Sequence, residues 1–365
     1  MFSRIESTRR ALLLPLVALS FGIASCQQQP PNAPSADTNA QSSPVANTDG
    51  AGATLNGAGA SFPAPLYQRW FAEYNKENPN TKISYQSVGS GAGVKQFTAG
   101  TVDFGASDTG MTQEEIAKVS RGVLLVPATA GSVVLAYNLP DIQGLKLPRD
   151  VYPDILLGKI TRWNDPRIAK ANPGVNLPDL PITVIYRSDG SGTTAVLTKH
   201  LSAVSPAWKS GPGEGKSVSW AVGTGAKGNE GVTAQIQQTQ GAIGYIEYGY
   251  AKQNNLPTAA LENSAGQFVE ATPESASQAL SSVELPENFL GFAPDPKGEN
   301  AYPIVSYSWI MAYRNYDDPA KAQAVENMLK WGLTEGQKYS AELGYVPLPE
   351  NVVSKVEPAV DALSK

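Results

Sequence analysis

Beyond residue 52 the chain alternates short apolar runs with small-residue turns and amphipathic stretches, the rhythm of an α/β fold. Pro63 and Pro65 suit a helical first turn, and Tyr67, Trp70, Phe71 and Tyr74 then recur at i, i+3, i+4 and i+7, so the aromatic stripe reads as a core face. Lys82 to Val88 reads as a strand, Ser90 to Gly93 as a turn, Val94 to Phe97 as a helix start, and Val102 to Phe104 as another strand. Thr112-Gln113-Glu114-Glu115 spells a capping box ahead of Ile116 and Val119. Leu124 to Val126 and Val133 to Tyr137 read as strands on either side of Pro127-Ala128-Thr129-Ala130-Gly131, and Ile304 to Tyr313 as a further strand behind Pro303. These are the expected crossings between two lobes. A final amphipathic helix, Pro319 to Leu333 with Val325, Met328 and Leu329, is expected to pack on the first lobe.

The first fifty residues have another texture. Arg4, Arg9 and Arg10 precede an apolar run from Ala11 to Phe21, the layout of a secretory signal and too short to span a bilayer. Ile23-Ala24-Ser25-Cys26 resembles the lipobox at which bacterial lipoproteins are cleaved and acylated, so residues 1–25 are expected to be removed and Cys26 to be lipidated. Three acyl chains on Cys26 would anchor it stably, since a single chain is marginal. Residues 27–52 contain no Lys, Arg or aromatic residue and one large aliphatic, Val45. Such a stretch cannot bury enough surface to fold, and residues 26–52 are expected to form a disordered tether with a reach of about 25–30 Å.

Composition narrows the chemistry. Cys26 is the sole cysteine of 365 residues, which rules out an intrachain disulfide, and His200 is the sole histidine, which leaves no zinc cluster. The expected signal carries three arginines and one glutamate, so the formal charge of −5 becomes −7 without it; an acidic surface argues against nucleic acid. Any anionic ligand must then be held by local geometry, for which backbone dipoles are the natural means.

Four small-residue segments supply that geometry: GAGASFPAP (Gly57 to Pro65), GSGAG (Gly89 to Gly93), DFGASD (Asp103 to Asp108) and RSDGSGTT (Arg187 to Thr194), each set between a strand-like run and a helix start. A helix N-terminus leaves its first amides unpaired and carries about half a positive charge, and glycine lets a tetrahedral oxyanion approach. Ser61, Ser90, Ser191 and Thr193 add neutral donors. Arg187 is the one obligate cation, suited to a forked contact, with Asp189 placed to steer and partly neutralise it. Asp108 is an acceptor among donors. Phosphate keeps a proton near neutral pH and sulfate does not, so Asp108 would accept from the first and repel the second. An unpaired buried charge costs about 3–5 kcal/mol, roughly two to four decades of affinity.

These four segments in this order resemble the periplasmic phosphate-binding proteins that feed the phosphate-specific ABC transporter. The resemblance extends through LGKITRWNDP (Leu157 to Pro166), GAKGNEG (Gly225 to Gly231) and GAIGYIEYGYAKQNN (Gly241 to Asn255), and covers Leu55 to Pro349. It implies an α/β, two-lobe periplasmic binding protein fold of type II with a two-crossover hinge, residues 53–128 and 303–365 forming one lobe and 129–302 the other. It implies phosphate held by Ser61 and the Phe62 amide, Ser90, Asp108, Arg187 with Asp189 behind it, Ser191, Gly192 and Thr193. Relatives often carry Thr where Ser61 stands, which preserves the hydroxyl. The implied function is capture of phosphate outside the cytoplasmic membrane, without catalysis or cofactor, and delivery by a monomer to a permease with its cytoplasmic ATPase.

Other readings are a binder of a different tetrahedral oxyanion or, further off, a phosphate-ester hydrolase. Gly223, Gly225 and Gly228 match a dinucleotide pattern, but Gly231 is expected to interrupt the helix it requires. No GxSxG elbow is present, and His200, nine residues beyond Ser191 on one expected helix, reads as a surface or lobe-packing residue.

Overall fold

The computed structural model describes residues 52–281 and 283–364, so the expected signal, Cys26 and the tether through residue 51 lie outside the described residues. The order begins with β1 (Thr54–Gly59), α1 (Ala64–Glu77), β2 (Lys82–Ser87), α2 (Ser90–Thr98), β3 (Phe104–Ser107) and α3 (Gln113–Ala117). The long β4 (Val123–Tyr137) leads to β5 (Lys146–Leu147), α4 (Val151–Leu156), α5 (Pro166–Ala171), β6 (Thr183–Arg187), α6 (Gly192–Val204) and α7 (Pro206–Ser210). Then come β7 (Thr224–Ala226), α8 (Gly228–Gln238), β8 (Ala242–Glu247), α9 (Tyr248–Gln253), β9 (Ala260–Glu262), β10 (Phe268–Val269) and α10 (Pro273–Leu280). β11 (Val305–Tyr313) is followed by α11 (Pro319–Leu333), a 3-10 turn at Glu335–Tyr339, α12 (Ser340–Leu343) and α13 (Glu350–Val360).

Eight of these strands form one sheet in the order β2-β1-β3-β11-β4-β8-β6-β7, and β10-β9-β5 form a small second sheet. β1 runs parallel to β2 and β3, and β6 runs parallel to β7 and β8, while β4 and β11 pair antiparallel in the middle. The sheet therefore has two parallel wings. In each wing a strand is followed by a helix, so helix N-termini gather at the carboxyl ends of the strands, where α/β folds place their ligands.

β4 joins the wings, because Val123 to Ser132 pair with β11 and Val133 to Tyr137 pair with β8. Every residue of β4 and β11 is buried. The two strands expected around Pro127 are thus one. Pro127 cannot donate to a ladder, and the register accommodates it: Pro127 lies opposite Trp309 and Thr129 opposite Ser308, leaving Ala128 as a one-residue bulge.

The α1 stripe packs as its period requires. Tyr67, Trp70, Phe71 and Tyr74 are all buried, with Tyr67 edge-on to Tyr85 at 5.3 Å and Phe71 to Phe104 at 5.9 Å. Each such ring removes enough apolar surface to contribute about 2–3 kcal/mol. The Thr112 capping box forms, with Glu115 N–H donating to Thr112 Oγ1 at 3.2 Å and Thr112 N–H to Glu115 Oε2 at 2.8 Å. Helix α11 has the predicted bounds and packs on α1 and β1, but it is not the last element, since α12 and α13 follow it and α13 packs back on α11.

Two expectations about helices change. Ser90 to Gly93 are not a turn, because α2 starts at Ser90: Gly89, at φ +88°, makes the whole corner. Gly231 does not interrupt a helix, since α8 runs through it.

Candidate functional site

The carboxyl ends of β1, β2 and β3 deliver Ser61 with Phe62, Ser90 and Asp108 respectively, and the end of β6 delivers Arg187 to Thr193. Ser61, Phe62, Ser90, Asp108, Arg187, Ser191 and Thr193 are each at most 4% exposed. Asp108 differs from the others in placement: it directly follows β3, and the next helix begins only at Gln113, so its segment is a strand end and not a helix N-terminus.

Ser191 is the N-cap of α6, its Oγ accepting from Thr194 N–H at 3.0 Å, while its own N–H donates to Lys216 O at 2.8 Å. With the Thr194 amide capped, the first-turn amides of Gly192 and Thr193 are the ones for which helix geometry provides no internal partner. Gly192 lies against the other wing at close range. A Cβ on Gly192 would lie 2.4 Å from Asp108 Oδ2 and 2.4 Å from Ser90 Oγ, so only glycine permits this approach. Gly91 N–H donates to Gly190 O at 2.8 Å across the same gap. Lys216 adds an ion pair to Glu115 at 3.4 Å.

Arg187 makes a forked pair with Asp189, Nε to Oδ1 at 2.8 Å and Nη2 to Oδ2 at 2.6 Å, and its Nη1 donates to Thr193 Oγ1 at 3.3 Å. Burial works against the Arg187 cation, but the bonds and charge of Asp189 outweigh it and hold the guanidinium above its ordinary pKa. Burial also opposes the Asp189 carboxylate, and Arg187, helped by the Gly228 amide, holds it below the usual range. Both stay charged, and the cation is partly neutralised.

Asp108 is 1% exposed and accepts from Ser308 Oγ at 2.7 Å on Oδ1 and from Ser90 Oγ at 3.3 Å on Oδ2. Burial pushes its carboxyl up to about 6, against the lowering pull of the Ser308 bond and of Arg187. Oδ1 is well paired. Oδ2 has one long bond and is the oxygen with capacity to accept from a ligand hydroxyl.

Several residues at the site escaped the sequence reading. Asn229, fully buried at the start of α8, donates to Ser61 Oγ and to Thr193 Oγ1. It lies in GAKGNEG, just after a strand, so the strand-turn-helix signal used for the other segments was present. Tyr250 donates to Ser61 O at 2.7 Å. Ser306 and Ser308 alternate with aromatic residues in a fully buried strand, a signal of polar side chains that need buried partners.

His200 is not on the surface. It is 1% exposed on α6, with Nε2 2.8 Å from Tyr152 Oη and Nδ1 2.8 Å from Pro294 O, and burial pushes its pKa down to about 4. Among the described residues no group of three or more His, Cys, Asp or Glu side chains is placed to hold a metal ion, and no helix is long and apolar enough to cross a membrane.

Residues 37–335 match the family model described as a PBP superfamily domain. The phosphate-binding protein PstS of Pasteurella multocida (strain Pm70) is 46% identical over 309 residues, 83% of this chain and 89% of that protein. The phosphate-binding protein PstS of Haemophilus influenzae is 44% identical over 308 residues, covering 83% of this chain and 91% of its own. Among solved structures, a high affinity periplasmic phosphate-binding protein (PfluDING) bound with phosphate superposes with a TM-score of 0.69 at 20% identity, over 84% of this chain and 93% of that one. At that identity the likeness is one of fold, the two-lobe α/β binding fold.

Proposed function

This chain belongs to the PBP superfamily, among its phosphate-binding proteins, and from that premise we propose that it binds inorganic phosphate and delivers it to an ABC transporter for import. The observation that carries the reading is a buried cluster in which one partly neutralised guanidinium, several hydroxyls and the free amides of the α6 N-terminus surround a single acceptor carboxylate, Asp108. Such a set matches a tetrahedral oxyanion that still carries a proton. The ligand contacts are then Ser61 and the Phe62 amide, Ser90, Asp108, Arg187, Ser191, Gly192 and Thr193, with Asp189 behind Arg187.

Calorimetry of phosphate, arsenate and sulfate against the purified protein tests this. Stoichiometric phosphate capture far tighter than sulfate is expected. Tighter sulfate would favour another oxyanion, and steady release of phosphate from an ester would favour a hydrolase.

Residues 53–128 with 303–365 form one lobe and residues 129–302 the other, linked where the chain runs through β4 and into β11. Donors from both lobes bind the ligand together, so the ligand favours the closed arrangement. The protein acts as a monomer outside the cytoplasmic membrane, handing phosphate to a permease whose ATPase is cytoplasmic. Cys26 carries the lipid anchor. A Cys26→Ser variant is expected to move from the membrane fraction to the soluble exported fraction, and unchanged membrane retention would remove the anchor from the account.

A further inference from the structure

The geometry points to Asn229 as a positioning residue that makes Ser61 and Thr193, one hydroxyl from each wing, donors only, and so decides which oxygens of the bound anion face them. The inference rests on the proposed phosphate site. Asn229 is 0% exposed, and its amide orientation is not ambiguous, because the Glu247 backbone N–H, which can only donate, lies 2.9 Å from Oδ1. Nδ2 therefore faces the hydroxyls, 2.8 Å from Ser61 Oγ and 3.1 Å from Thr193 Oγ1.

A hydroxyl has one hydrogen and two lone pairs. Ser61 Oγ accepts from Asn229 Nδ2 and also from the Asn229 backbone N–H at 3.1 Å, which occupies both pairs. Thr193 Oγ1 accepts from Asn229 Nδ2 and from Arg187 Nη1 at 3.3 Å, which occupies both of its pairs. Each hydroxyl has only its proton left to offer, and that proton must point away from Asn229. Unprogrammed, a serine or threonine rotor can offer a proton or a lone pair with equal ease; here the choice is removed before the ligand arrives. The protonated oxygen of the anion then has no acceptor at Ser61 or Thr193 and is directed to Asp108.

A double-mutant cycle on phosphate affinity, read by calorimetry, tests this. Asn229→Ala is expected to weaken phosphate about 10- to 100-fold, as for loss of well-aligned bonds to a charged ligand. The Ser61→Ala/Thr193→Val variant is expected to lose about 100-fold or more, and adding Asn229→Ala to it should change affinity by less than about threefold, because the residue acts through those hydroxyls. Full additivity would overturn the inference while leaving phosphate binding intact, since a merely structural role for Asn229 costs the same with or without the hydroxyls. Undiminished affinity of Ser61→Ala/Thr193→Val would also overturn it, by taking the hydroxyls off the ligand. If the wild-type protein captures no phosphate, the functional reading falls and the inference with it. Should Asn229→Ala lack the wild-type circular dichroism spectrum, Asn229→Asp keeps the volume and the acceptor for Glu247 N–H but reverses the donor; it is expected to lose over 100-fold at pH 7, and affinity within threefold of wild type would refute the assignment.

Discussion

Asp108→Asn separates two consequences of one buried carboxyl. The folded protein holds Asp108 near 6, against an ordinary value of 3.8, chiefly because burial penalises the anion. Each pKa unit is about 1.4 kcal/mol, so ionised Asp108 costs the ligand-free fold about 3 kcal/mol at neutral pH. For an acid with a raised folded pKa the sign is fixed: its stability contribution is greatest below 3.8 and is lost as pH rises through 6. Asparagine removes that penalty, which is already net of the Ser308 and Ser90 bonds that favour the anion. The ligand-free variant should thus be more stable than wild type by up to about 3 kcal/mol at pH 7.5, and the advantage should vanish near pH 4. On the ligand side, sulfate no longer meets a carboxylate. The gain should appear in sulfate binding, and the phosphate-to-sulfate ratio should fall by about two to four decades. Thermal melts in phosphate-free buffer from pH 4 to 8 read the first effect, and paired calorimetric titrations read the second. A ratio preserved within threefold, or a stability difference independent of pH, would refute the reasoning.

Other perturbations follow from the same geometry. Arg187→Met removes the one cation of the site and leaves the partly buried Asp189 without its ion-pair partner, so phosphate affinity should drop at least about 1,000-fold, and Arg187→Lys should recover only part because an ammonium cannot reproduce the fork; competition binding with labelled phosphate measures both. Gly192→Ala keeps the α6 backbone but places a methyl 2.4 Å from Asp108 Oδ2 and Ser90 Oγ, so affinity should fall over 100-fold and small-angle scattering in saturating phosphate should show a larger radius of gyration than wild type. His200 is held neutral by burial, with its pKa down near 4, so its contribution is full above its unfolded value of 6.5 and is lost as pH falls toward 4, about 3 kcal/mol in all. Urea unfolding of His200→Gln at pH 7 and 4.5 should show a flatter pH dependence than wild type, and an unchanged slope would contradict the assignment.

Legibility varied with the range of the interaction that decides each feature. The α1 stripe, the Thr112 capping box and the bounds of α11 depend on neighbours within four residues, and the pattern alone gives them. The continuity of β4 through Pro127 could not be read locally, because what permits it is a bulge opposite Ser308 and Trp309, far along the chain. His200 reads from the sequence as a surface or lobe-packing residue, and what decides for packing is a pair of partners, Tyr152 and Pro294, 48 and 94 residues away. Asn229 shows no local sign of its role for the same reason: its motif is visible, but its partners Ser61 and Thr193 are 168 and 36 residues distant.

By itself the sequence determined the kinds of group at the proposed site and the local geometry that presents them: glycine where a backbone must come close, hydroxyls beside helix starts, one arginine with its aspartate, and one acceptor carboxylate. Those are properties of single residues and of the turn each sits in. What only the tertiary structure decided is which of their valences remain free. Ser61 and Thr193 are donors because Asn229 and Arg187 fill their lone pairs, and Asp108 lies near 6 because the fold buries it. A side chain's chemistry is set by its type, but its protonation and its hydrogen-bond direction are set by neighbours that folding brings from elsewhere in the chain.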